Sequence, residues 1–361
     1  MPLRRSFPKL ARPAHGGVES NQAAGLASGG QVILDFSANP NPLGPSAMVK
    51  KALVDFDPSL YPDLTNRRLT EAIAAQNGVL PGRVVPGAGS TELIYLIAQA
   101  FIQKGDRVMI FAPTFGEYEF ACRLNLARVS LLTSLEENEF QWPLSLAEKK
   151  IKSLKPVLVF LCNPNNPTGV YLPTEQIERL ARLLSDGLLI VDEAYASFSN
   201  HAREPERLLA HRNVVILRSM TKDFALAGLR LGYTLSSERI ARIIRLYQPT
   251  WSVSAAVQIA GVAALSDPAH LKKAEACVLE GRAYLRQALE KLGFKVFPSE
   301  ANFLLVKVGN GLEFRSKLLG KGIFVRDCAS FGLPQFIRIS VRTLPECQRL
   351  VAAMREVIAN G

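Results

Sequence analysis

The sequence has few cysteines and no long hydrophobic run. Its five cysteines show no CxxC pair or other spacing typical of metal ligands. Neither a disulfide framework nor a metal site is therefore predicted, and reduced thiols in a cytoplasmic protein are expected. The apolar runs, such as 157–161 and 188–191, are far shorter than the roughly 18 to 20 residues that cross a bilayer. A membrane protein is excluded on this ground.

The chain is basic, but it lacks a basic cluster of the kind that binds nucleic acid. Lysine and arginine number 43 against 32 aspartates and glutamates, a formal net charge of +11. These cations are scattered and are not interleaved with aromatic residues, so small anionic ligands are expected and nucleic acid is not. The first 14 residues hold four cations and no acid. They are interpreted as a basic tail, with organellar targeting as the alternative.

The alternation of apolar and amphipathic segments predicts the fold class. With 48% apolar and 21% charged residues over 361 positions, a soluble protein of about two domains is expected. Between about 83 and 247, short apolar runs alternate with longer amphipathic ones, as in βα units around a mainly parallel sheet flanked by helices. The predicted strands are 108–111, 157–161, 188–191 and 214–217, and predicted helices include 92–101 and 175–184.

After Pro249 the pattern changes to that of a smaller α+β domain. A long helical stretch is predicted over 254–292, followed by two strands at 302–308 and 336–341 and a last helix that begins near Pro345. The fold class is therefore α/β for the large domain, with a smaller α+β domain beside it. We predict an N-terminal arm with part of the small domain over 1–45, a large domain over 46–249 and a small C-terminal domain over 250–361.

Side chains that follow the predicted strands indicate where the chemistry lies, because ligands bind beyond the carboxyl ends of strands in an open parallel sheet. Lys222 follows one strand, lies between apolar segments and has Arg230 eight residues later. Most lysines are solvated surface charges, but these neighbours favour an amine at a crevice. Partial desolvation and a nearby cation lower an amine's pKa and allow it to condense with an aldehyde. Pyridoxal phosphate requires such a lysine.

The same cofactor requires a carboxylate opposite its ring nitrogen. Asp192, directly after a buried strand, suits that role, with a helix N-cap as the alternative. Asn166 and Tyr195 could both hydrogen-bond the phenolic oxygen of the ring, and Phe115 could stack on its face. Taken singly, these three residues are equally typical of turns and packing.

The stretch 87–92 is predicted to bind the cofactor phosphate. It contains Gly89, Ser90 and Thr91 and leads into a helix, where free backbone N–H groups and hydroxyls form an anion site. The stretch is similar to half of a dinucleotide-binding fingerprint. Because Glu92 replaces the last glycine and no strong strand is predicted before it, a nicotinamide site is discounted.

Three motifs together resemble the fold-type I pyridoxal-phosphate enzymes of the aspartate-aminotransferase-like group. They are NPNNPTG over 163–169, DEAY over 192–195, and Ser219-x-x-Lys222 with Arg230. The resemblance extends from His15 to the last helix. It implies that Lys222 bonds covalently to the cofactor, that Asp192 pairs with the pyridine nitrogen, and that Asn166 and Tyr195 contact the phenolic oxygen. The residues that it assigns to the phosphate are Ser90, Thr91, Ser219 and Arg230.

The resemblance also implies a homodimer with active sites at the interface. Tyr61 is similar to the family's tyrosine that reaches the cofactor phosphate of the neighbouring subunit. Fold-type I modules also occur in DNA-binding regulators. No helix-turn-helix is predicted here, and only 14 residues precede His15, too few for such a domain.

Two subgroups are the most similar: histidinol-phosphate aminotransferase, and the L-threonine-O-3-phosphate decarboxylase of cobalamin biosynthesis. Segments 15–17, 35–44 and 325–331 resemble the decarboxylase more closely. We therefore expect a carbon–carbon lyase that converts L-threonine O-3-phosphate to (R)-1-aminopropan-2-yl phosphate and carbon dioxide for the aminopropanol linker. The alternative is a 2-oxoglutarate-dependent histidinol-phosphate aminotransferase.

A clamp for the substrate's carboxylate and phosphate is expected to decide the reaction, since guanidinium groups bind both in bidentate fashion. Arg338 is similar to the family's carboxylate-binding arginine. For His15 and Arg342, a surface or packing role is an equal alternative. The candidate substrate-binding residues are His15, Asn166, Arg326, Arg338 and Arg342.

Overall fold

The computed structural model describes residues 10–13 and 33–359. Its centre is a seven-stranded sheet, in the spatial order Val84–Gly87, Gly232–Leu235, Val214–Ser219, Leu188–Asp192, Leu158–Cys162, Arg107–Ala112 and Arg128–Thr133. The last five strands in this order are parallel, and Gly232–Leu235 runs antiparallel to both of its neighbours. The predicted α/β class with a mainly parallel central sheet is confirmed.

Helices cover both faces of this sheet, which explains why its inner strands are apolar along their whole length. One face packs against Ala47–Val54, Arg67–Gln76, Leu144–Leu154, Thr174–Leu183 and Ala255–Leu265. The other packs against Gly89–Phe101, Glu117–Leu124 and Glu238–Tyr247. Alternate strand residues divide between the two cores: Val159 and Leu161 enter the first, and Leu158 and Phe160 enter the second. The remaining helices of this part are Pro205–Leu209 and Met220–Asp223.

A second, antiparallel sheet lies towards the C-terminus. Its strands, in spatial order, are Arg326–Asp327, Phe336–Ser340, Phe303–Lys307 and Lys295–Val296. Helices Pro268–Lys291, Gly311–Leu319 and Leu344–Ala359 bury a separate core against it. Strand Leu34–Asp35 pairs in parallel with Ile323–Phe324, which joins the start of the described chain to this part of the molecule.

The long helix predicted over 254–292 is in fact two helices, Ala255–Leu265 and Pro268–Lys291. Pro268 cannot continue a helix because it lacks an N–H group, but it suits the first turn of a new one. The Asp267 side chain accepts a hydrogen bond from His270 N and caps that helix. The predicted domain boundaries stay predictions. Helix Ala255–Leu265, just beyond the boundary near 250, packs against Arg67–Gln76.

Strand Val84–Gly87, which leads into the stretch 87–92 that is predicted to bind a phosphate, was not predicted from the sequence. Pro86 and Gly87 disfavour strand formation, and only an edge strand tolerates the missing N–H of a proline. This strand does form the edge of the sheet. Over 10–13 and 33–359, no helix is both long and apolar enough to cross a bilayer.

Candidate active site

One cavity collects most of the residues predicted to form the site. It has a volume of about 410 Å³ and lies at the carboxyl ends of the parallel strands. Two of its walls are distinct. The sheet wall consists of Ser90, Thr91, Asp192, Ser219 and Lys222, and the arginine wall consists of Ser37, Arg326 and Arg338. Phe115, Asn166, Tyr195 and Arg230 line the same cavity.

Lys222 lies in the short helix Met220–Asp223, which follows strand Val214–Ser219. Desolvation lowers the pKa of Lys222 to about 8, and the positive charges of Arg338 and Arg230 act in the same direction, while Asp192 opposes them. An amine with this pKa is partly deprotonated near neutral pH, so it can attack an aldehyde and carry a proton.

Asp192 is the last residue of strand Leu188–Asp192, and it is 3% exposed. Burial raises its pKa to about 6, while hydrogen bonds from Tyr118 and from the Ala194 backbone lower it. The Tyr118 hydroxyl donates to Asp192 Oδ2 at 2.7 Å, and Ala194 N donates to Oδ1 at 2.9 Å. Asp192 is therefore mostly an anion at neutral pH, as a protonated ring nitrogen requires. No α-helix begins at Asp192, which argues against the N-cap alternative.

The start of helix Gly89–Phe101 forms an anion site. Ala88 at the N-cap position provides no side-chain cap, and Glu92 Oε2 accepts a hydrogen bond from Ala88 N at 2.7 Å, so the N–H groups of the first helical turn are available to a phosphate. Gly89 has a φ of +82°, and a Cβ there would lie 2.7 Å from Arg230 Nη2. A Cβ at Gly232 would lie 2.5 Å from Ser90 N. The two glycines thus let Arg230 and the strand that pairs with Ser219 approach the helix, and a phosphate fits there.

Tyr195, Asn166 and Phe115 lie in the same cavity. Tyr195 is buried and packs edge-on against Phe303, with ring centroids 5.0 Å apart. Asn166 Oδ1 accepts a hydrogen bond from Arg338 Nη1. Phe115 packs edge-on against Tyr118 at 5.6 Å. Their positions beside Lys222 and Asp192 are compatible with the predicted contacts to the phenolic oxygen and ring face of pyridoxal phosphate.

The arginine wall carries two guanidinium groups from neighbouring strands. Arg326 and Arg338 are directly opposite each other in an antiparallel pair, and both are buried. Arg338 Nη2 donates to the Ser37 carbonyl at 2.6 Å, whereas its Nε has no hydrogen-bond partner among the described residues. Arg326 Nη2 donates to Ser330 Oγ at 2.7 Å. Two buried cations in one wall form a site for an anionic substrate.

Among the described residues, three that were predicted for the site do not line this cavity: Gly89, Tyr61 and Arg342. Arg342 donates to Glu346 Oε1 at 2.6 Å and to the Asp35 carbonyl at 3.0 Å, so these donors are engaged outside the cavity, and its place in the substrate clamp stays a prediction. Tyr61 is 78% exposed and stacks on Trp251 with ring centroids 4.7 Å apart, and its contact with a neighbouring subunit stays a prediction. His15 lies outside the described residues.

The cavity also contains residues that the sequence analysis did not assign. Tyr118, three residues after Phe115, donates a hydrogen bond to Asp192. Ser37, Ala38 and Asn39 belong to the Asn- and Pro-rich run 35–44, which carried a resemblance but no predicted role. The other additional lining residues are Cys162, Ala194, Thr221 and Phe331. Among the described residues, no cluster of His, Cys, Asp and Glu could hold a metal ion.

Comparison with known proteins identifies a family. The model of the family Aminotransferase class I and II matches residues 31–354. The histidinol-phosphate aminotransferase of Moorella thermoacetica is 34% identical over 335 residues, which cover 91% of this chain and 86% of that protein. Other curated relatives of the same name are 32–35% identical over 90–91% of this chain.

Solved structures agree on the fold. Histidinol-phosphate aminotransferase from Sinorhizobium meliloti, in complex with pyridoxal-5'-phosphate, has a TM-score of 0.87 at 26% identity and covers 99% of each chain. The L-threonine-O-3-phosphate decarboxylase from Porphyromonas gingivalis has a TM-score of 0.80 at 26% identity, covering 90% of this chain and 99% of that chain.

The prediction of threonine-phosphate decarboxylation is therefore wrong, and the lyase and cobalamin assignments are not confirmed. Curated relatives that match about nine-tenths of the chain at 32–35% identity are named as histidinol-phosphate aminotransferases instead. The expectation depended on three short segments, 15–17, 35–44 and 325–331. Such segments are a small part of the chain, and the first lies outside the described residues.

Proposed function

We propose that this chain, which belongs to the class I and II aminotransferase family, is a histidinol-phosphate aminotransferase. It transfers the amino group of histidinol phosphate to 2-oxoglutarate, so that the first substrate becomes a ketone and the second becomes glutamate. The observation that carries the proposal is that two buried guanidinium groups, Arg326 and Arg338, line one cavity with Lys222. The amino-group donor and the amino-group acceptor are both anions, and guanidinium groups form paired hydrogen bonds with carboxylate and phosphate oxygens. The names of the curated relatives support histidinol phosphate as the amino-group donor.

Membership of this family makes the chain an enzyme, and pyridoxal phosphate is its cofactor. When bound, the cofactor withdraws electrons from the substrate carbon that carries the amino group. We assign its covalent attachment to Lys222 and its ring nitrogen to Asp192. Asn166 and Tyr195 hydrogen-bond its phenolic oxygen, and Phe115 packs on its ring. The residues assigned to its phosphate are Gly89, Ser90, Thr91, Ser219 and Arg230.

Lys222 has a second role in the proposal. With substrate and cofactor bound, Lys222 Nζ would be placed to take a proton from the amino-bearing carbon as a general base and to give one back as a general acid. An amine with a pKa of about 8 exchanges protons readily near neutral pH. The short helix Met220–Asp223 keeps this amine beside Asp192 and Arg338, within the cavity.

The arginine wall binds the anionic end of each substrate. Arg338 is held by the Ser37 carbonyl and by Asn166, so the plane of its guanidinium group is fixed in direction. Arg326, on the adjacent strand, adds a second cation to the same wall. The wall therefore suits a phosphate monoester in one half of the reaction and a dicarboxylate in the other. The predicted contribution of His15 stays a prediction.

We also propose that the enzyme is a homodimer. Exposed apolar side chains gather around Tyr61, and its neighbours Leu60 and Leu64 are 65% and 59% exposed. Trp251, which stacks on Tyr61, is itself 48% exposed. A second subunit would cover this surface. Tyr61 would then lie next to the cofactor phosphate that the second subunit binds, as the sequence predicts.

The proposal is tested by a product assay on the purified protein with pyridoxal phosphate. Histidinol phosphate with 2-oxoglutarate is expected to yield glutamate, and omission of 2-oxoglutarate is expected to stop turnover. L-threonine O-3-phosphate serves as the comparison substrate, with release of carbon dioxide as its signal. Carbon dioxide release from it, without glutamate formation from histidinol phosphate, would overturn the proposal.

A further inference from the structure

A buried ion pair lies directly behind the sheet wall. Arg218 Nε and Nη2 donate to Glu193 Oε2 at 2.9 and 2.6 Å, and the two side chains are 4% and 8% exposed. Each residue is the chain neighbour of a cavity residue, because Glu193 follows Asp192 and Arg218 precedes Ser219. Asp192 and Ser219 line the cavity, whereas Arg218 and Glu193 do not. Successive side chains of a strand point to opposite faces of the sheet. The pair therefore lies on the face of the sheet opposite to the side chains of Asp192 and Ser219.

The pair connects three elements of the fold. Glu193 N donates to the Leu217 carbonyl at 2.8 Å, which continues the pairing of strands Leu188–Asp192 and Val214–Ser219. Arg218 Nη1 donates to Asn77 Oδ1 at 2.8 Å, and Asn77 Nδ2 donates to the Ile73 carbonyl at 2.7 Å. Asn77 follows the last residue of helix Arg67–Gln76. The guanidinium thus ties the ends of two strands to the end of one helix.

Stability alone does not account for a pair of this kind. Removing two charges from water costs several kcal/mol per ion, and a well-packed apolar pair is often as stable. What an apolar pair cannot supply is direction, because the planar guanidinium holds a carboxylate in one orientation. The two backbone segments that this orientation fixes are those that present Asp192 and Ser219.

We propose that Arg218 and Glu193 are positioning residues that set the spacing between Asp192 and the segment Ser219–Lys222, so that the ring nitrogen, aldehyde carbon and phosphate of one cofactor molecule meet their partners together. The inference rests on the proposed function for its kinetic readout. It requires that the chain binds pyridoxal phosphate and reacts with glutamate, but not that histidinol phosphate is the other substrate.

The test compares cofactor-loaded proteins. The double variant Arg218→Met with Glu193→Leu replaces the pair by apolar side chains of similar size. Its thermal midpoint is expected to stay within a few degrees of the wild type. The rate constant for reaction with saturating glutamate, followed by the cofactor's absorbance, is expected to fall roughly 10- to 100-fold, because a small misplacement of reacting groups has effects of this size. The KM for glutamate should change less than about threefold, since the arginine wall is untouched.

Circular dichroism of the bound cofactor in the visible range gives a second readout, because its intensity depends on how the ring is held. It is expected to weaken in the double variant. Arg207→Met is the matched control, since Arg207 pairs with Glu175, Glu178 and Glu204 at the surface. This control should leave the rate constant, the KM and the dichroism unchanged.

A folded double variant with wild-type rate and dichroism would overturn the proposal. If the double variant does not fold, Glu193→Gln decides, because it keeps the shape of the side chain and removes only the charge. A slower rate and weaker dichroism at an unchanged thermal midpoint support positioning, and wild-type values of both overturn it. If histidinol phosphate is not a substrate, or glutamate does not react, the proposed function fails while the dichroism still tests the pair.

Discussion

The two walls of the cavity are built in different ways. The sheet wall comes from the ends of strands of one sheet and the starts of the helices that follow them, and each of its residues lies in a short, recognisable motif. The arginine wall joins parts of the chain that are far apart, since the contact between Arg338 and the Ser37 carbonyl spans 301 positions. The residues of the sheet wall can therefore be recognised from short motifs, while the arginine wall depends on how the second sheet packs against the first.

The walls also differ in charge, and each acts on the other. The sheet wall holds an amine and a carboxylate, whereas the arginine wall holds two guanidinium groups. After burial, Arg338 is the next cause that lowers the pKa of Lys222. Substitutions in the sheet wall are therefore expected to slow the chemical step. Substitutions in the arginine wall are expected to weaken substrate binding. The following variants test this division.

Lys222→Ala is expected to have the largest effect. It removes both the covalent attachment of the cofactor and the proton carrier, so the transamination rate should fall by about 10⁴-fold or more. The visible absorbance of the lysine-bound cofactor should disappear. Both changes are checked on protein dialysed against excess pyridoxal phosphate. Persistence of that absorbance would contradict the role of Lys222 and the definition of the sheet wall.

Arg338→Ala is expected to lower kcat/KM about 100-fold for both amino-group partners, as the loss of charge-assisted hydrogen bonds to an anion predicts. The absorbance of the lysine-bound cofactor should remain, since the sheet wall is intact. Arg338→Lys keeps the charge but not the fork of donors, so an intermediate loss is expected. Steady-state kinetics with each substrate measure these effects. Loss of cofactor binding in Arg338→Ala would show that the arginine wall also holds the cofactor, and would contradict the separate roles of the two walls.

Lys222→Met, studied in the cofactor-free protein, tests how much the desolvated charge of the sheet wall destabilises the fold. Desolvation lowers the pKa of Lys222 from 10.5 to about 8, so between these values the unfolded chain binds a proton that the native protein does not. The free energy of unfolding of the wild type therefore rises with pH between these two values. Below about pH 8, the buried charged amine destabilises the native protein by its full amount. Because Lys222 is partly exposed to the cavity, the variant should gain roughly 2 kcal/mol at pH 7.

Urea unfolding at pH 7 and at pH 10 checks this difference. The gain in free energy of unfolding should shrink towards zero at the higher pH, where the lysine is neutral in the native protein. An equal gain at both values would mean that methionine stabilises through packing and not through the removal of a desolvated charge.

Arg342→Ala should have the smallest effect, because Arg342 pairs with Glu346 and lies outside both walls. A partly exposed ion pair contributes about 0.5 kcal/mol, and kcat/KM should change less than about threefold. The thermal midpoint and the kinetics with both substrates measure this. A loss comparable to that of Arg338→Ala would return Arg342 to the substrate clamp.

Much of the sheet wall could be predicted because strand ends are readable from local patterns. The predicted strands 108–111, 157–161, 188–191 and 214–217 match observed strands to within a few residues. Strands Arg128–Thr133 and Gly232–Leu235 were missed, since the first is largely exposed and the second is short and begins with glycine. Tyr118 was missed because its bond to Asp192 crosses 74 positions.

The arginine wall was predicted only in part. Arg326 and Arg338 do line the cavity, but Arg342 belongs to a different set of contacts, and nothing in its sequence surroundings separates it from the other two. All three lie near the strands of the second sheet. What separates them is strand register: Arg326 and Arg338 are paired, whereas Arg342 lies beyond the end of strand Phe336–Ser340.

By itself, the sequence determined the α/β class, the cofactor and the residues of the sheet wall, because hydrophobic periodicity and short motifs are local properties of the chain. Only the tertiary structure decided which arginines share the cavity, that Tyr118 supports Asp192, and that Arg218 and Glu193 stand behind the wall. These contacts join side chains that are distant in sequence. They exist only once the packing of two sheets has fixed which strand ends meet and which way each side chain points.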